Sequence, residues 1–288
     1  MDRWELRQGD AQAVVAARGA ELQALRLGGL DLLWDAGPLW PRHAPLLFPI
    51  VGALAGDTLR LGSGTHAMPR HGFARDRDFQ WTHRGASACG LALEADAATG
   101  AAYPFPFRLE AAFTLAPGAL GMTLTLHNPG PAPLPASLGL HPAFRWPLAA
   151  DLSKAGHRLV FEGDPGPLRR LDAQGLVAPE PRQPVHRDGI LPLAEDLFQE
   201  DALLYLEGTC TGLRFEAPGG PALRLAWTGF PHLGVWAKPD PGPGFLCLEP
   251  WDGHASPSGW DGPFPGKPGV FQVAPRQSRT WTLTLSLA

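Results

Sequence analysis

Apolar residues recur at alternate positions in short runs that end at glycine or proline, and this pattern constrains the chain more than any other feature. Leu109, Ala111, Phe113 and Leu115 alternate with polar or small residues until Ala116-Pro117-Gly118 turns the chain. Met122, Leu124 and Leu126 alternate on the way back, so residues 108–128 read as a hairpin. Residues 14–16 and 23–27 flank the turn Arg18-Gly19-Ala20 in the same way. Leu213 and Phe215 precede Ala217-Pro218-Gly219-Gly220, with Leu223, Leu225 and Trp227 beyond it. The last run is Trp281, Leu283, Leu285 and Leu287. A period of two leaves each strand one buried face and one more polar face, as in antiparallel sheets.

Helical periodicity is scarce; residues 191–206 have room for a turn or two around Ala194-Glu195-Asp196-Leu197-Phe198. No linker with a shifted composition and no internal repeat divides the chain. The expectation is one all-β domain over residues 1–288, built of two large packed antiparallel sheets.

Hydrophobic residues make up 44% and charged residues 18%, which suits a sizeable core and argues against disorder. The net charge of -4 offers no basic excess to a phosphate backbone, so a dedicated nucleic-acid partner is not expected. Cys89, Cys210 and Cys247 are odd in number and lack CxxC spacing, so neither a disulfide framework nor a zinc knuckle is suggested. The apolar stretch 44–56 is too short and too broken by proline to span a bilayer, and the first residues lead into no apolar segment. A cytoplasmic protein, monomeric or homodimeric and without a membrane partner, is the expectation.

Three segments each present one ionisable group in an apolar setting, where such a group is costly unless paired or used. In Phe245-Leu246-Cys247-Leu248-Glu249 the leucines face one way and Phe245, Cys247 and Glu249 the other. Pro250 is expected to end the ladder there and leave Glu249 at a strand end beside a cleft. An apolar wall of Trp251 and Phe245 would raise its pKa toward usefulness as a base. On residue pattern alone, a surface glutamate at a strand end is the commoner case. In Ser137-Leu138-Gly139-Leu140-His141 the small residues share a face with His141 and leave room for a sugar ring. A histidine satisfied by a backbone carbonyl is the plainer alternative.

His71 follows Pro69-Arg70 and precedes Gly72-Phe73-Ala74-Arg75. Arg75 has the reach to meet a hydroxyl or a carboxylate, although Arg70, Arg75 and Arg77 beside Asp76 and Asp78 also read as a solvated ion-pair loop. Arg42 sits in a proline-stiffened apolar segment and needs a partner, either a structural carboxylate or a substrate oxygen. Lys154, Lys238 and Lys267 are the only lysines among 24 cationic residues, and this bias weakens any argument from a single arginine. Among the tryptophans, Trp236 is the best pocket candidate, because it shares a face with Gly234 and Lys238. No HxH, HExxH, GxGxxG or GxSxG pattern is present, though a three-histidine metal site stays open on the residues alone. A glycosidase needs two flanking carboxyls, and only Glu249 has the setting.

The segments His71-Gly72-Phe73-Ala74-Arg75, Leu140-His141-Pro142-Ala143-Phe144 and Leu248-Glu249-Pro250-Trp251 resemble the motifs of the aldose 1-epimerase (galactose mutarotase-like) family. Residues 45–52 and 233–238 fit as well, so the resemblance runs in order along nearly the whole chain. It implies a galactose mutarotase-like β-supersandwich, a small-molecule sugar substrate and no cofactor. It also implies Glu249 as the base on the anomeric hydroxyl, His141 as the acid on the ring oxygen, and His71 as a residue that holds the sugar. There are departures: Gly52 is followed by Ala53 with no Asn, which leaves Arg42 as the substitute, and Gly139-Leu140 rather than Asn precedes His141. Asp201 is a loose match for the family's acidic residue. These mark a divergent branch. Hexose-6-phosphate 1-epimerases share the fold and use arginines for phosphate, so Arg42, Arg75 and Lys238 gathered at the site would favour that chemistry. A non-catalytic carbohydrate-binding protein on the same fold is the third reading, and keeping both Glu249 and His141 argues against it.

Overall fold

Alternation along the sequence becomes alternation across sheets. A computed structural model of the protein describes residues 2–62, 64–217 and 219–288. Arg108–Ala116 and Ala119–His127 form the expected hairpin, and its Leu109, Ala111, Phe113, Leu115, Leu120, Met122, Leu124 and Leu126 are buried. The hairpin lies in a nine-stranded antiparallel sheet that also holds Gly212–Glu216, Ala222–Thr228 and Ser278–Leu287. Pro218, within the turn that joins the first two of these, lies outside the described residues. Arg3–Gln8, Ala11–Ala16, Leu22–Leu27 and Leu30–Asp31 make a four-stranded sheet that packs near Arg108–Ala116.

The second large sheet is seven-stranded, and Gly244–Asp252 runs through it with every residue buried. Its neighbours are His232–Trp236 on one side and Leu138–Leu140 and Ala143–Trp146 on the other. Leu246 and Leu248 join Leu138, Leu140, Leu233 and Val235 in the apolar core shared with the nine-stranded sheet. Phe245, Cys247, Glu249 and Trp251 face the opposite way, as the alternation implied. Among the described residues, no helix is long and apolar enough to cross a membrane.

Two local expectations change. The helical turn at Glu195–Phe198 is present as a 3-10 turn, but a further helix, Ala97–Ala102, was not anticipated. Six residues are too few to show a period. The signal is instead the reciprocal cap, in which Asp96 accepts from the Thr99 amide and Thr99 accepts from the Asp96 amide. Pro250 does not end its strand: Leu233 pairs with Pro250, and His232 with Trp251. The amide of Leu248 points to the carbonyl of Pro142, so Pro250, two residues on, points its missing donor the same way. In that register Pro250 stands across from Leu140, the last residue before the break at His141-Pro142, so the missing donor falls at the end of that strand and the pairing continues at Gly139–Trp251.

Near the Trp251 end of the sheet lies a buried group of basic side chains. The rings of His232 and His254 are 5.2 Å apart. Lys267 donates to the carbonyls of His254 and Pro268 at 2.7 and 2.8 Å. Burial pushes His232 down to about 3, His254 to about 4 and Lys267 to about 7. Both histidines are therefore neutral in the folded protein at pH 5 and protonated in the unfolded chain. Their stability contribution is complete above the ordinary histidine value and is lost as pH falls toward 4. We expect unfolding free energy, measured in urea, to drop between pH 6.5 and 4.5 with a slope approaching about 1.4 kcal/mol per pH unit for each of the two. His232→Gln should make the profile shallower. A flat profile over that range in the unsubstituted protein would contradict the neutral assignment.

Candidate active site

The broken strand places the two chemical groups opposite one another. Leu138–Leu140 and Ala143–Trp146 pair Gly244–Asp252 in one continuous register, so His141, in the gap, stands across from Glu249. His141 Nε2 and Glu249 Oε2 are 3.2 Å apart. Only 1% of Glu249 and 8% of His141 is exposed, so both groups are removed from bulk water. The contact is not aligned as a hydrogen bond, and Glu249 Oε2 and His141 Nδ1 are buried without partners. Burial raises the Glu249 carboxyl well above the usual range, with nearby Asp201 reinforcing it and Arg70 opposing it. Burial lowers His141 to about 3, and Arg75, Arg70 and Arg42 push the same way. Both shifts favour the uncharged forms, glutamic acid beside neutral imidazole. Moving one proton from the carboxyl to the ring gives the other placement, glutamate beside imidazolium.

The pair opens into a cavity of about 270 Å³, the scale of a monosaccharide rather than a long oligosaccharide. Trp40 stacks on His141 at 5.0 Å between ring centres, and Trp236 meets it edge-on at 6.0 Å. His71 approaches from a loop, its ring 5.6 Å from that of His141. The Gly52 amide donates to His71 Nδ1 at 3.2 Å, which leaves the ring proton on Nε2 when the ring is neutral. Burial first, then coupling to His141 and the positive Arg75, Arg70 and Arg42, keeps His71 well below its ordinary pKa. His71 is thus a hydrogen-bond donor.

The rim is charged. Arg42 pairs with Asp76 at 3.1 Å, and Arg75 reaches the same carboxylate at 3.6 Å. Arg75 also donates to the Arg70 carbonyl at 2.6 Å, while its buried Nε, the atom nearest Asp76, completes no hydrogen bond. Arg70 lies 3.8 Å from Asp201, whose loop is tied down where Arg170 donates to the carbonyls of Asp201 and Leu197. Of the residues expected from sequence, His71, His141, Glu249, Arg42, Arg75, Asp201 and Trp236 all line the cavity. Lys238 does not: it is exposed and lies beyond the end of the His232–Trp236 strand, so the face it shares with Trp236 does not extend to it. Arg70, read as a solvated loop residue, takes its place at the rim, and Trp40 supplies the second wall. The other charged residues of that loop turn away, Asp78 toward Arg18 and Arg77 toward Asp96.

Cys247, on the buried side, brings its sulfur within 4.8 Å of the His141 and Glu249 ligand atoms, the one such trio among the described residues. Burial raises the thiol well above its usual pKa and the Glu249 charge adds to this, so the trio would have to lose protons to act as ligands.

The His71 loop depends on one backbone position. Gly72 has φ +70°, and a Cβ there would sit 2.3 Å from the Phe48 carbonyl oxygen, which also accepts from the amides of Phe73 and Ala74. Gly72→Ala should therefore destabilise the fold by about 3 kcal/mol or more, through left-handed strain plus a clash with backbone. Urea unfolding checks this, and a loss below about 1 kcal/mol would show that the loop can move away.

Comparison with known proteins agrees with this fold. A model of the aldose 1-epimerase family matches residues 2–172, a span that includes His71 and His141 and ends before Glu249. The protein is 28% identical over 271 residues to protein LacX of Lactococcus lactis subsp. lactis, covering 89% of this chain and 90% of the relative. A galactose mutarotase-like protein from Lactobacillus casei superposes with a TM-score of 0.91 over the whole of both chains at 29% identity. A galactose mutarotase related enzyme from Lactobacillus acidophilus has the same fold, with a TM-score of 0.90, 23% identity and coverage of 100% of this chain and 97% of its own. Since the matched span is more than half of the chain, the protein belongs to the aldose 1-epimerase family.

Proposed function

We propose that the protein is an aldose 1-epimerase that interconverts the α and β anomers of an aldohexose. The observation that carries this reading is the His141–Glu249 pair, 3.2 Å apart on the floor of a monosaccharide-sized cavity. With the sugar seated, Glu249 takes the proton of the anomeric hydroxyl as the C1–O5 bond breaks. The imidazolium of His141 gives its proton to O5. Rotation about C1–C2 and reclosure from the other face return both protons, so neither group is consumed. His71 donates through Nε2 to a sugar oxygen, and Asp201 and Arg70 hold hydroxyls at the rim. Trp40 and Trp236 offer ring faces to the C–H surface of the sugar.

Arg42, Arg70 and Arg75 support a second reading, a hexose 6-phosphate as substrate, because three guanidiniums converge on a rim that only Asp76 and Asp201 neutralise at close range. Arginine pairs strongly and geometrically with phosphate.

Glu249→Gln should lower anomer exchange, followed by magnetisation-transfer NMR, by roughly two to four orders of magnitude, the usual worth of general base catalysis. Sugar binding by calorimetry should change far less, since the amide keeps a carbonyl oxygen. A protein that binds aldoses without exchange above the spontaneous rate would be a carbohydrate-binding module instead. Hexose 6-phosphate should compete with the neutral aldose if the arginines face its phosphate, and absence of competition at millimolar concentration would leave the neutral aldose alone.

A further inference from the structure

Among the described residues four tryptophans are buried: Trp146, Trp227, Trp251 and Trp281. Three of them satisfy their indole N–H within the protein, Trp146 on the Lys154 carbonyl, Trp227 on the Phe230 carbonyl and Trp281 on Asp252 Oδ2. Trp251 does not, although only 5% of it is exposed. Its apolar neighbours, among them Leu47, Val51, Ala202 and Leu204, carry no side-chain acceptor. Such an orphaned donor is costly unless something else completes it.

The ring's position is tightly set. Trp251 pairs with Gly139 on one neighbouring strand, and Gly234 lies diagonally across on the other. A Cβ at Gly139 would lie 2.5 Å from Trp251 Cδ1, and one at Gly234 would lie 2.5 Å from Cζ2. The indole therefore lies across its own strand in a slot left by two missing side chains. The edge running from Cδ1 through Nε1 to Cζ2 spans the strand on the same face as Glu249, two residues earlier. The N–H lies near enough to favour the ionised Glu249 carboxyl, yet neither it nor Glu249 Oε2 completes a hydrogen bond. Both atoms belong to residues that line the cavity.

An acceptor that is also a donor satisfies the two together, and the hydroxyl that Glu249 deprotonates is one. We propose that Trp251 is a catalytic residue whose Nε1–H donates to the anomeric oxygen of the sugar, an inference that rests on the epimerase reading above. As Glu249 takes the O1 proton and the C1–O5 electron pair moves to O5, which His141 protonates, negative charge passes through O1. Trp251 keeps its own proton and stabilises that charge.

The test compares Trp251→Phe with a variant carrying β-(3-benzothienyl)alanine at position 251, which keeps the fused rings and lacks the N–H. Both are assayed for exchange of a wild-type substrate aldose and for binding of the matching 1,5-anhydrohexitol, which lacks the anomeric oxygen. The expected result for each is a roughly ten- to hundredfold lower kcat/KM for exchange, with anhydrohexitol binding within about twofold of wild type. If the benzothienyl variant exchanges the aldose as fast as wild type, or if both variants weaken anhydrohexitol binding as much as they slow exchange, the proposal is overturned and the indole is a packing platform. A wild-type protein that exchanges no aldose would defeat the epimerase reading and this proposal together; unimpaired exchange in the variants would defeat this proposal alone.

Discussion

A carboxyl and an imidazole are held 3.2 Å apart in the middle of a sheet, out of contact with water, and the rest of the site depends on that contact. Removing either group alone from solvent costs several kcal/mol if it is charged. Burial favours the uncharged form of each group, glutamic acid beside neutral imidazole, and so avoids that cost. The arrangement is possible because a strand can be broken at His141-Pro142 and resume in register, which frees one residue from the ladder without displacing its neighbours.

Around that neutral centre the charges are sorted by depth. The indoles of Trp40 and Trp236 and the neutral His71 surround the pair, while the guanidiniums stand at the rim beside Asp76 and Asp201. Arg70 favours the charged carboxylate and Asp201 pushes the carboxyl the other way. A path into the cavity from solvent meets the cations first and the buried pair last.

Much of this was legible along the chain, for a physical reason. The period of two in residues 245–249 and 137–141 already separates the leucines from Glu249 and His141, because a strand has only two faces. The errors share a cause in the opposite kind of information. Whether Pro250 ends a strand depends on which side of it lacks a partner, and that is decided by a neighbour more than a hundred residues away. Arg70 and Lys238 carry the same charge next to equally suggestive residues. Only the packing of the 70–75 loop against residues 48–52 decides that one lines the cavity and the other faces solvent. The Ala97–Ala102 helix escaped notice because a reciprocal cap, unlike periodicity, occupies just two positions.

The seat of Trp251 on Gly139 and Gly234 also restricts how this sequence can change over time. A side chain larger than hydrogen at either glycine collides with the indole, so those positions are closed while the tryptophan stays. Shrinking the tryptophan opens both at once. If either glycine then acquires a side chain, the slot is filled and a tryptophan cannot return until that change is reversed. The trio behaves as a ratchet: its members are interchangeable with other residues only in one order, and lineages that have taken the first two steps are cut off from the original arrangement by a single methyl group.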